Sequence, residues 1–173
     1  MAGILIVDGY NILHSWGHLN QAIAKIGLDG ARDRLIAELE DYAGTTHTQV
    51  IVVFDAYHTQ RMLLTQQQRN GVEVVFTRHK ETADHYIERL VSTLDTRQYD
   101  VRVATSDGVE QVVVMGRGAS RISARELEID VKNARRERNT RMERQHHAKR
   151  HTLETLIDPE TLRRLRDSLP KED

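Results

Sequence analysis

The chain has 173 residues, 29% of them charged and 39% hydrophobic, a composition that suits one globular domain with length to spare. It has no cysteine, which excludes disulfides, thiolate metal sites and cysteine nucleophiles and fits a cytoplasmic protein. No apolar run approaches the roughly 20 residues of a membrane span, and the N-terminus has no basic leader of the kind that opens a signal peptide, so neither membrane insertion nor export is expected. The net charge of −1 conceals an asymmetry: residues 1–116 carry −5 and residues 152–173 carry −2, whereas residues 117–151 hold 11 Lys and Arg against 5 Asp and Glu. A basic segment on an acidic body points to a polyanionic partner for that segment.

In chain order, the first element is Gly3 to Val7, a short apolar run that ends at Asp8-Gly9-Tyr10-Asn11. Such a run suits a strand buried on both faces of a parallel sheet. Asp8 then stands at the strand's carboxyl end, with Gly9 expected to allow a sharp turn and Asn11 to cap a helix. Ile12 to Trp16 reads as the start of a short helix. His14 and His18 have the i,i+4 spacing of a metal pair, but they lack a third ligand and Gly17 lies between them, so they read as ordinary histidines. Asp29-Gly30 is expected to begin a packing helix with Ala31, Leu35, Leu39 and Tyr42 on one face.

Gln49 to Phe54 is the second buried strand, and it too ends in a carboxylate, Asp55. Residues 57–70 are polar and Gln-rich and read as a loop or short helix. Val72 to Thr77 is the third strand. Thr82 is placed to cap the next helix, whose apolar stripe is Ala83, Ile87, Leu90, Val91 and Leu94, with Asp84 in its first turn and off the stripe. The fourth strand, Val101 to Ser106, ends in Asp107-Gly108 and so repeats the pattern of Asp8-Gly9. A short helix from Val109 to Gly116 and a short strand from Ala119 to Ile122 follow. Ser123 and Glu126 form a capping box that opens a long helix to about His151. Its apolar content fades after Val131, and beyond that a phosphate-contacting surface competes with a merely solvated face. Asp158-Pro159-Glu160 starts a final short helix to Leu169.

Strands alternating with helices imply an α/β domain with a mostly parallel sheet. In that arrangement Asp8, Asp55 and Asp107 end strands on one edge, and Asp84 starts a helix from the same edge. Singly, each is a turn or cap residue. Together, four carboxylates in a small volume need a shared proton or a cation, and an all-oxygen set suits Mg²⁺ or Mn²⁺. A divalent ion held there can activate water and offset the charge that builds on a phosphodiester.

Val7-Asp8-Gly9-Tyr10-Asn11, Val53-Phe54-Asp55-Ala56, Glu81-Thr82-Ala83-Asp84 and Ala104-Thr105-Ser106-Asp107 together resemble the NYN domain, a relative of the PIN nucleases. Their order, with Ser123 to Leu127 and a charged helical tail, is similar to the YacP-like subgroup, which includes a ribosome-associated endoribonuclease that cleaves messenger RNA. The resemblance implies a three-layer α/β/α PIN-like domain at residues 1–130, with a basic helical extension at residues 131–173. It also implies metal-dependent hydrolysis of RNA, leaving 5′-phosphate and 3′-hydroxyl ends. Carried over by motif, Asp8, Asp84 and Asp107 hold the metal, Asp55 is a ligand or an outer acidic group, and Asn11 orients a ligand or the scissile phosphate. The candidates for RNA backbone contact are Arg61, Arg78, Lys80, Arg117, Arg121 and Arg125, with Tyr10 and Tyr57 as candidate base-stacking rings. The competing readings are an RNA- or ribosome-binding module without catalysis, and a small-molecule phosphohydrolase. Against the latter stand the absence of a DxD nucleophile motif and of a GxxxxGK[ST] loop, and the presence of the basic segment.

Overall fold

Six strands form one mixed sheet, ordered β3-β4-β2-β1-β5-β6, and the apolar runs of the sequence supply its centre. β1 (Ala2–Asp8), β2 (Gln49–Phe54), β4 (Val72–Phe76), β5 (Tyr99–Ala104) and β6 (Ser120–Ile122) are mutually parallel, and β3 (Thr65–Arg69) runs antiparallel on the β4 edge. Among the described residues the longer helices are α1 (Gly9–Ser15), α2 (Gly17–Thr46), α3 (Ala83–Thr93) and α4 (Ala124–Leu156). The structure is a computed structural model that describes residues 2–55, 65–105, 118–156 and 163–164. The expected helix at Val109 to Gly116 lies outside those residues, as does most of the one at Glu160 to Leu169, of which residues 163–164 are helical.

Alternation along the strands divides the core in two. Leu5, Val7, Val50, Val52, Phe54, Val72 and Val74 face one side, where they pack with α1, α2 and the first turns of α4 through Leu13, Leu35, Leu39 and Leu127. Ile4, Ile6, Ile51, Val53, Val75, Val101 and Val103 face the other side, against Tyr86, Ile87 and Val91 of α3. Helices therefore cover both faces of the sheet, which is why its inner strands read as unbroken apolar runs.

Two local expectations are corrected. Residues 65–69 are an edge strand rather than loop or helix, joined to β4 by a two-residue turn in which Asn70 (φ 45°) and Gly71 (φ 86°) are both left-handed. Asn-Gly is the pair that such a hairpin turn favours. The packing helix expected from Asp29 is present, but it follows a further helical stretch from Gly17 that was not expected, and the two meet at a kink at Gly27, whose φ of 77° and ψ of 173° suit only glycine. Asp29 pairs instead with Arg32 one turn on.

The chain divides into two compact units, Met1–Arg135 and Arg136–Asp173. The first holds the whole sheet, and the second contains the continuation of α4. Within the first unit the root of α4 is tied down from both sides. The Trp16 indole, 1% exposed, donates from Nε1 to the Ala124 carbonyl at 2.8 Å, and Arg102 of β5 reaches the Tyr42 hydroxyl at 3.0 Å and Asp130 at 3.6 Å.

Candidate functional site

β1 is central in the sheet, and the chain leaves it towards β2 on one side and returns to it from β5 on the other. The carboxyl end of such a strand is where open α/β sheets bind ligands. β1 and β2 end nearly level, with Asp8 paired to Val53, and β5 ends level with them, with Ala104 paired to Val7. The alternation that sends Ile4 and Ile6 towards α3 sends Asp8 the same way, and Ile51 and Val53 set the same direction for Asp55. α3 begins at this edge, capped by the Thr82 side chain, which accepts from the His85 backbone N–H at 3.3 Å. That start puts Asp84 in the first turn. Asp8, Tyr10, Asn11, His14, Asp55, Thr82, Ala83 and Asp84 accordingly line one cleft of about 350 Å³.

Asp8, not Asn11, is the helix cap here: its Oδ1 accepts from the Asn11 backbone N–H at 3.1 Å. Burial pushes the Asp8 carboxyl up to about 6, and the nearby Asp84 and Asp55 carboxylates push in the same direction. The backbone N–H groups of Asn11 and Tyr10 only partly oppose that rise. Asp8 is thus a carboxylate whose charge is costly near neutral pH unless a cation shares its space.

Gly9 serves close packing rather than a turn. It is the first residue of α1, and a Cβ there would stand 2.3 Å from the Phe54 ring. Phe54 in turn meets Tyr10 edge-on at 5.2 Å and stacks on Phe76 at 5.5 Å. Tyr10 itself is 8% exposed, and its hydroxyl accepts from Arg32 at 2.9 Å, so it belongs to the wall of the cleft and is not a free stacking platform.

The loop from β4 to α3 is pinned on both sides of its basic residues. The Thr77 hydroxyl donates to the Glu81 carbonyl at 2.7 Å, Lys80 takes a left-handed φ of 71°, and Glu81 pairs with Arg89, which lies over the Tyr86 ring at 5.1 Å. Arg78, His79 and Lys80 are exposed on this loop. Arg121 and Arg125 are also exposed, but at the β6 edge and on α4, and none of these four basic candidates lines the cleft.

Asp107, Arg61, Arg117 and Tyr57 lie outside the described residues. Among the described residues no three His, Asp or Glu side chains form a group that holds a metal by itself. The residues that share the cleft nevertheless fit a hard divalent cation in kind, since Asp8, Asp55 and Asp84 offer only oxygen and repel one another without a counter-charge. His14 is the residue that sequence reasoning passed over. It sits one helical turn beyond Asn11 and shares the cleft, whereas His18 turns away to Glu38 at 2.9 Å. The i,i+3 step from Asn11 on a helix capped by Asp8 was the available signal.

Comparison with known proteins places these features in a family. The model of the YacP-like NYN domain matches residues 5–169. The Bacillus subtilis (strain 168) protein YacP is 44% identical over 140 residues, which are 80% of this chain and 81% of that one. The crystal structure of Rae1 (YacP) from Bacillus subtilis is 37% identical with a TM-score of 0.71, covering 94% of this chain and 92% of that one. A point-mutant form of the same protein gives 39% identity and the same TM-score over 84% of each chain.

Proposed function

Because the chain belongs to the YacP-like NYN domain family, whose domain is nuclease-like, we propose that it is a divalent-metal-dependent endoribonuclease that hydrolyses RNA phosphodiester bonds in the cytoplasm, with messenger RNA on the ribosome as its substrate. The observation that carries this reading is the acidic cleft itself: Asp8, Asp55 and Asp84 reach one cavity from three different elements, and the Asp8 carboxyl is pushed up to about 6 by burial and by the other two.

In this reading Asp8 and Asp84 hold Mg²⁺ or Mn²⁺ together with Asp107, and Asp55 supports them as a ligand or as an outer acidic group. The bound ion supplies water activation and offsets the charge that develops on the phosphoryl oxygens. This chain's own residues do the rest. The Asp8 cap orients Asn11 towards the cleft through their shared turn, and Asn11 presents its amide to the scissile phosphate. The pinned 77–82 loop offers Arg78 and Lys80 to flanking phosphates, which gives affinity without choosing sequence. Water adds to phosphorus, the bond from phosphorus to the 3′-oxygen breaks, and that oxygen leaves with a proton, so the ends are a 5′-phosphate and a 3′-hydroxyl.

The test is RNA cleavage by the wild type, Asp8→Asn and Asp84→Asn with Mn²⁺ or with EDTA, on naked RNA and on translating ribosomes. Mn²⁺-dependent cuts with 5′-phosphate ends, lost in both variants, are expected. Equal inertness of all three proteins on both substrates, with RNA or ribosome binding retained, would overturn the enzyme and leave a binding module.

A further inference from the structure

The described residues that line the acidic cleft all belong to the first unit, and the second unit also carries a concentration of positive charge. Residues 136–150 hold 6 Lys and Arg against 2 Glu. Arg136, Glu137, Thr140, Arg141 and Arg144 fall on one face of α4 and line a groove of about 520 Å³. At about 100° and 1.5 Å per residue, the three arginines cover one side of the helix over roughly 12 Å. All three are exposed, and among the described residues none of them has a carboxylate partner. The ion pairs of α4 instead belong to its root, as with Glu128 and Lys132 at 2.6 Å and Arg102 and Asp130 at 3.6 Å.

We infer that this arginine-lined groove of α4 is a second RNA-binding surface, separate from the acidic cleft, that grips the sugar-phosphate backbone. The guanidinium fork matches phosphate oxygens in pairs, whereas the Thr140 hydroxyl already donates to the Arg136 carbonyl at 3.0 Å and only lines the groove. A strand with one phosphate every 3.4 Å or so along its axis presents several of them over about 12 Å. An acidic protein is the weaker occupant. Protein interfaces centre on aromatic or aliphatic anchors, and the groove has none, since the exposed Met142 is not among its lining residues. The inference rests on the reading of this chain as an RNA enzyme, but it concerns affinity and not the chemical step.

The experiment uses the full chain in EDTA, so that no cleavage occurs, with a fluorescein-labelled RNA hairpin followed by anisotropy across a range of KCl. R136Q/R141Q/R144Q is expected to flatten the plot of log affinity against log salt by about 2 to 3, near one per lost phosphate contact. The triple Lys variant restores the slope because it restores the charge. An unchanged slope in the Gln variant overturns the inference, and so does an equal loss in the triple Lys variant, which would report damage to the helix. A wild type that binds with a steep slope but cuts neither naked RNA nor messenger RNA on translating ribosomes would sink the nuclease reading and leave the groove standing. A wild type that cuts while the Gln variant keeps its slope would do the reverse.

Discussion

Asp8 carries three duties at once: it ends β1, caps α1 and faces two other carboxylates. The cap alone would favour its charge, because the Asn11 N–H donates to it. Burial and the neighbouring Asp84 and Asp55 outweigh that bond and raise the carboxyl from 3.8 to about 6. Between those two values the native state binds more protons than the unfolded chain, so stability falls as pH rises through the window, and the whole cost is present above about pH 6. At 1.36 kcal/mol per unit the ceiling is about 3 kcal/mol. Asn caps a helix as well as Asp does. Asp8→Asn in EDTA is therefore expected to be more stable than the wild type at pH 7 by up to about 3 kcal/mol. The gain should fade as the pH falls towards 4, as measured by urea unfolding at several pH values. A gain that is absent or pH-independent would contradict this electrostatic account.

Gly9 gives a second prediction at the same scale. A methyl group there meets the Phe54 ring, which is itself held between Tyr10 and Phe76, so Gly9→Ala should cost about 1–3 kcal/mol by thermal or urea unfolding. It should also move the end of β1 that carries Asp8. The sequence made Gly9 visible only as a turn residue, because nothing local announces a ring from the next strand. For the same reason Tyr10 read as a candidate stacking ring: its bond to Arg32 spans 22 positions.

At the scale of elements, what was local was legible. Thr82 caps α3 as its spacing implied, and the Ser123–Glu126 box closes in both directions, at 2.8 and 3.1 Å. Thr82→Ala should cost about 1 kcal/mol of stability and lower cleavage by more than that loss explains, because the turn it fixes also positions Asp84. Restoring the cap with Thr82→Ser should recover both, and a variant that unfolds more easily yet cleaves at the full rate would detach Thr82 from the site. The missed element was β3. Thr-Gln-Gln-Gln-Arg has no apolar alternation, since it is an edge strand that leaves Gln66 to Arg69 exposed. Its evidence lay in Asn70-Gly71, a turn signal that matters only once both flanks are strands. The helical stretch from Gly17 to the kink at Gly27 was likewise missed, because Gly17 reads as a poor helix residue.

For the whole molecule, the carboxylate cluster was readable because parallel strands share one edge. Three runs ending in Asp sufficed to propose it, although Asp107 lies outside the described residues. Which basic residues serve the cleft was not readable. Charge runs report sign and not place, and Arg78 and Lys80 stand on the loop into α3, whereas Arg121 and Arg125 stand at the far edge of the sheet and on α4. A chain that concentrates repelling carboxylates in its own core edge should be stabilised by the ion that relieves them. Saturation to 100 times the dissociation constant contributes about 2.7 kcal/mol by mass action, so millimolar Mn²⁺ should raise the melting temperature of the wild type and leave Asp84→Asn nearly unmoved.

Mn²⁺ titration of the metal-free protein by calorimetry asks whether Asp8 and Asp84 form one cation site, and it requires neither an RNA nor a ribosome. A single Mn²⁺ site is expected in the wild type, with binding weakened at least tenfold in both Asp8→Asn and Asp84→Asn. Equal Mn²⁺ affinity in all three proteins, or no binding in the wild type at millimolar metal, would contradict it.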